Sequence, residues 1–143
     1  MVVSALLAVL TLVPTLDPER PVDVRREVRP LLAERCFPCH GPDEGARKAK
    51  LRLDSATGAT AERRNGAAVV PGAPERSLLL ARIAASDPEE RMPPADSGKK
   101  PLDAHEQELL ARWIAEGARY ETHWAWERPV ASAPPAVRDE SWP

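Results

Sequence analysis

The chain has 143 residues, enough for about one domain. Twenty Lys and Arg nearly balance 22 Asp and Glu, for a formal net charge of -2, which excludes the basic excess that a nucleic-acid surface needs. Hydrophobic residues reach 43% but aromatics only 4%, and 16 prolines with two cysteines exclude both a mostly regular chain and a disulfide-dense scaffold.

Val2 to Leu16 is apolar except for Ser4, Thr11 and Thr15, with Pro14 near its end. That length suits the core of a secretory signal, about 7–15 residues, and falls short of the roughly 20 of a membrane-spanning helix. No Lys or Arg precedes the run and no small-x-small cleavage site follows it, so a packed N-terminal helix is the alternative. Residues 1–20 are read as an export leader, either cleaved or kept as an N-terminal anchor. The expected location is the periplasm or cell envelope, with no other membrane contact.

From Pro21 to Arg35, Val24, Val28, Leu31 and Leu32 recur at helical spacing behind Asp23 as N-cap, with Pro30 expected to kink the helix. Cys36-Phe37-Pro38-Cys39-His40 follows, and Gly41-Pro42 breaks the chain into loop. Leu51 to Asp54 and Ala67 to Val70 read as short extended pieces rather than a sheet. A second helix is predicted over Ser77 to Ala84, and a Pro-rich charged loop over Asp87 to Pro101. The last helix starts at Asp103 with Glu106 completing a capping box, presents Leu109, Leu110, Trp113 and Ile114, and stops at Gly117. Past Tyr120 come Trp124 and Trp126, then Ser132 to Ala136, a docking segment and linker such as the leading module of a longer protein would have. The domain is placed at 21–126 and the tail at 127–143.

Cys36-x-x-Cys39-His40 has the spacing of a c-type haem attachment site. Two thiols three residues apart reach adjacent pyrrole edges and form thioethers. His40, directly after the second thiol, then offers a ring nitrogen to the iron. A thioredoxin-like redox pair competes for the same motif, but the βαβ surroundings it needs are missing. A structural zinc site would draw Cys36, Cys39 and two of His40, His105 and His123, which do not form the two compact halves usual for zinc.

Apart from the initiator, Met92 is the sole methionine, set in a loop and followed by Pro93 and Pro94. Its soft thioether suits haem iron as a sixth ligand, and the prolines would stiffen the loop that carries it. A gap-filling Met is the bland alternative, and its charged neighbourhood speaks against that. His105, in the first turn of the last helix, and His123, in the aromatic tail, are the other candidates for the sixth position.

The ordered run from Val22-Asp23 through Cys36–Glu44, Lys50–Asp54, Val70-Pro71-Gly72, Ser77–Ile83 and Arg91-Met92-Pro93-Pro94 resembles the planctomycete-type cytochrome c domain. The likeness extends through Leu102 and Trp113–Ala118 to His123-Trp124-Ala125. It implies a mainly α, class I-like cytochrome c fold of three or four helices with long Pro-rich loops, the first and last helices crossing around one covalently bound haem c and its iron. By position, Cys36 and Cys39 become the thioether residues, His40 the proximal ligand and Met92 the distal ligand. The expected function is single-electron transfer without catalysis in this domain, to a redox partner protein or to attached downstream domains. A haem-based sensor module, an internal relay of a larger oxidoreductase and a zinc-stabilised interaction domain are the rivals. Residues 20–64 carry eleven Lys/Arg against seven Asp/Glu, and residues 65–143 nine against thirteen, an asymmetry able to orient a redox partner.

Overall fold

A computed structural model describes residues 20–121 and 128. The leader, the aromatic segment with His123, Trp124 and Trp126, and nearly all of the 127–143 tail lie outside the described residues. Among the described residues the architecture is helical, with no strand. The mainly α expectation therefore holds.

Asp23 caps the first helical segment as expected, its carboxylate accepting the Arg26 N–H at 3.0 Å. The segment is not uniform, however. Val24–Val28 is wound as a π-helix, with the Arg29 N–H reaching back to the Val24 carbonyl, and it runs directly into α1, Arg29–Arg35. Pro30 sits in the first turn of α1. Proline has no N–H and its ring crowds the carbonyl four residues back, so the wider turn accommodates it without the break that a strict α register would need.

The last helix, α5 (Ala104–Ala115), matches its prediction residue for residue at the cap. Asp103 accepts the Glu106 N–H at 2.8 Å and Glu106 accepts the Asp103 N–H at 2.9 Å. Its far end closes by a Schellman motif: Gly117 N–H bonds the Ile114 carbonyl and Ala118 N–H the Trp113 carbonyl. Gly117 has φ of +99°, a region in which a side chain is strained.

Leu109, Leu110, Trp113 and Ile114 of α5 are all buried, packed with Val28, Leu31 and Leu32 from the first helix and with Leu79 and Ile83 from α4 (Leu78–Ile83). The N-terminal end is tied to the end of α5 by Val22 N–H on Glu116 (2.9 Å) and by Arg112 on the Arg20 carbonyl (2.6 Å). Among the described residues Trp113 is the one buried aromatic; its indole N–H donates to the Arg119 carbonyl, and Tyr120 meets it edge-on at 5.2 Å. The rest of the described core is aliphatic, seven leucines with isoleucine, valine and alanine.

The two expected extended pieces form no sheet. They bond to neighbouring turns instead: Leu53 N–H on the His40 carbonyl (2.8 Å), Val69 N–H on the Ala59 carbonyl (3.0 Å), Leu79 N–H on the Ala68 carbonyl (2.9 Å) and Val70 N–H on Ser77 Oγ (2.9 Å). Between them lies a short helix the pattern did not predict, α3 (Ala56–Thr60), capped by Ser55. Its run of small residues has no apolar periodicity to read.

Candidate functional site

Cys36 ends α1 and starts α2, the single turn Phe37–His40, where the sequence had pointed only to a motif before a loop. Its N–H closes α1 on the Leu32 carbonyl, while its own carbonyl accepts the N–H groups of Cys39 and His40. A helical turn puts positions i, i+3 and i+4 on one face. Cys36, Cys39 and His40 occupy those three positions.

Gly41 stops the turn by close approach. A Cβ there would stand 2.4 Å from the Phe37 carbonyl oxygen, a backbone atom that cannot swing away. Gly41→Ala is expected to destabilise the holo-protein by about 1–3 kcal/mol through this overlap, measured as a lower denaturant midpoint with unchanged slope. The loop beyond folds back over the motif. Lys48 N–H donates to the Cys39 carbonyl at 2.7 Å and Arg47 to the Gly41 carbonyl at 3.0 Å, so the backbone around His40 is held from both sides.

One cavity of about 710 Å³ is lined by Cys36, Cys39, His40 and Met92 together. That volume lies in the usual range for cofactor sites, roughly 300–1,000 Å³. Met92 comes from a loop 52 residues downstream of His40. Its N–H donates to the Arg82 carbonyl on α4 at 2.9 Å, and the Arg82 guanidinium holds the Glu90 carbonyl at 3.2 Å, so α4 anchors the loop on both sides of Arg91. The Met92–Pro93 peptide bond is cis, and Pro93 is buried. His105 is exposed on α5 and does not line the cavity; His123 lies outside the described residues.

The electrostatics favour neutral donors. Burial holds the His40 imidazole below its ordinary pKa, and the Arg63 charge adds to that; the Lys48 backbone works in the opposite sense without reaching hydrogen-bond geometry. Its buried Nδ1 makes no hydrogen bond. A neutral imidazole keeps a lone pair for a metal. Burial pushes the Cys36 thiol up to about 12, against the lowering effect of Arg35. A redox-active CxxC needs a thiol depressed toward neutrality, so this environment is the reverse of a thioredoxin-like one. Among the described residues, no three His, Cys, Asp or Glu side chains converge on a common metal position.

Two features escaped the sequence. The cavity carries Arg35, Lys50, Arg63, Arg64, Arg82 and Lys99, six cations against the one carboxylate of Glu62. They come from both halves of the chain and, apart from Arg63-Arg64, from separate stretches, so no local run announces them. Arg35 also links the motif to α5, donating to the Lys100 carbonyl (2.7 Å) and to Glu106 (3.1 Å).

The residues present fit a haem: two thiols and an imidazole on one face, a thioether supplied by a separate loop, and a large cavity among them. No helix among the described residues is long and apolar enough to cross a membrane. No curated protein and no solved structure matches the chain. Residues 36–96 match the family described as Planctomycete cytochrome C, a stretch that begins at Cys36 and takes in Cys39, His40 and Met92. Over those residues the chain carries a planctomycete-type cytochrome c domain, a family that implies covalently bound haem c and electron transfer.

Proposed function

We propose that this is an exported, single-haem electron carrier of the cell envelope, with Cys36 and Cys39 as the thioether residues, His40 as the proximal ligand and Met92 as the distal one. What supports the reading is that these four side chains, 56 positions apart at the extremes, line one cavity. Bound there, haem supplies a one-electron Fe(III)/Fe(II) couple. The chain's part is to orient and exclude. Hydrogen bonds from Lys48 and Leu53 to the Cys39 and His40 carbonyls fix the backbone that presents the imidazole. Arg82 fixes the loop that presents the thioether. Leu79, Ile83 and Ala68 give the lining an aliphatic part, and the less water reaches a bound iron the smaller the reorganisation that accompanies a change of charge. Electron exchange with a redox partner or with attached domains is the whole of the proposed chemistry.

A pyridine haemochrome spectrum of protein made in a cytochrome-maturing host tests this. The expected result is one equivalent of haem per chain with both vinyl groups saturated. A colourless chain, or haem extractable by acidified solvent, overturns it.

A further inference from the structure

We infer that Arg63 is a positioning residue for the haem motif: it clamps the left-handed turn at Ala49-Lys50 that backs Cys39 and His40, and it sets a positive charge on the cavity wall with no carboxylate against it. The inference rests on the haem reading above and adds to it a residue that governs how His40 is presented.

Ala49 and Lys50 have φ of +50° and +54°. Left-handed backbone is costly for a residue with a Cβ, which crowds the carbonyl oxygen, and it persists only where the surroundings impose it. Two restraints impose it on this turn. From one side the motif holds it: Lys48 N–H donates to the Cys39 carbonyl at 2.7 Å, and Leu51 N–H closes on the Lys48 carbonyl at 3.1 Å. From the other side Arg63 reaches in with its planar fork, Nη2 donating to the Ala49 carbonyl and Nη1 to the Lys50 carbonyl. Two neighbouring carbonyls suit two rigidly spaced N–H groups, a match that the single ammonium of a lysine does not reproduce. Arg63 is itself fixed by a turn, its carbonyl accepting the Gly66 N–H at 2.9 Å. Without the fork the turn relaxes toward ordinary φ and takes the Lys48 N–H away from the motif.

The charge of Arg63 acts separately. Arg63 lines the same cavity as His40. Arg35 and Arg82, also in the lining, face the carboxylates of Glu106 and Glu90. Among the described residues Arg63 bonds to carbonyl oxygens alone, and Glu62, its chain neighbour in the lining, makes no ion pair with it. A fixed positive charge disfavours the more positive ferric state and so raises the reduction potential.

The test uses the haem-loaded full chain as parent, Arg63→Lys, Arg63→Gln, and the Ala49→Gly, Arg63→Gln double variant. Arg63→Lys keeps the charge and loses the fork, Arg63→Gln loses both, and Ala49→Gly removes the cost of positive φ at that position. Hydrogen exchange at the Lys48 and Leu51 amides of the ferrous form should be roughly tenfold faster in both single variants, with Leu110 and Ile114 of α5 unchanged. Ala49→Gly should restore most of the protection lost in Arg63→Gln. The midpoint potential should fall in Arg63→Gln, with or without Ala49→Gly, by an amount that shrinks as salt is added, and stay near the parent in Arg63→Lys. Arg76→Gln, the same loss of charge at an exposed residue outside the cavity lining, should leave the potential near the parent. If Arg63→Gln does not mature, Arg63→Lys alone decides the exchange test. Unchanged exchange at Lys48 and Leu51, no rescue by Ala49→Gly, or an equal fall of potential in Arg76→Gln overturns the inference while leaving the haem reading intact. Absence of haem from matured parent overturns the haem reading itself, and is seen in the absorption spectrum before any variant is compared.

Discussion

Produced without haem attachment, the chain is expected to show no cooperative thermal transition and no native-like near-UV dichroism, though helical far-UV signal should partly survive. The reason is a core built around a space. Among the described residues its buried side chains are aliphatic with one tryptophan, and a cavity of about 710 Å³ opens beside them. The apolar part of that lining stays in contact with water until something covers it, so it adds nothing to a net stability that is only about 5–15 kcal/mol in an ordinary domain. Porphyrin burial replaces that deficit with a gain of about 25 cal/mol per Å² of apolar surface. His40→Ala should reach the same unfolded outcome by preventing correct holo-protein formation. A sharp melt with calorimetric and van't Hoff enthalpies in agreement, recorded on haem-free chain, would contradict this.

Met92→Ala is expected to lower the reduction potential and open the iron to outside ligands. Removing a thioether that stabilises the ferrous state should shift the potential downward by on the order of 0.1–0.2 V, a modest part of the about 0.8 V span that axial ligands command. The ferrous parent should bind carbon monoxide slowly, because Met92 must leave first, while the variant should bind it at once. Fold should be little affected, since the loop is held through backbone and guanidinium contacts, Met92 N–H to Arg82 and Arg82 to the Glu90 carbonyl, which alanine keeps. An unchanged potential and equal ligand uptake would remove Met92 from the distal position. Rapid uptake by the parent itself would favour a sensing module over an electron carrier. His105 is no substitute, being exposed on α5 and away from the cavity.

What the sequence disclosed and what it hid divide along physical lines. α5 was legible in full because its cap, its apolar face and its terminator are each local signals: Asp103 with Glu106, the spacing of Leu109 to Ile114, and Gly117. The haem motif was legible for the same reason, three donors within five residues. The π-helical turn at Val24–Val28 was not, because Pro30 announces a disturbance without saying how the backbone absorbs it. Nor was α3, whose Ala, Thr and Gly residues carry no periodicity. The cationic cavity lining was hidden most completely. Arg35, Lys50, Arg64, Arg82 and Lys99 come together through folding alone, and the split into a basic and an acidic half of the chain pointed elsewhere. Met92 stands between these cases: its rarity singled it out, and only the fold brings it to the cavity that His40 lines.

Intact-mass spectrometry under denaturing and reducing conditions, on chain matured in a host that assembles c-type cytochromes, bears most directly on the covalent attachment at Cys36 and Cys39. The expected spectrum is a single species heavier than the polypeptide by one haem, with neither cysteine open to alkylation and the added mass confined to the peptide that contains Cys36 to His40. A species at the bare polypeptide mass in which both thiols take up the alkylating reagent would contradict the account.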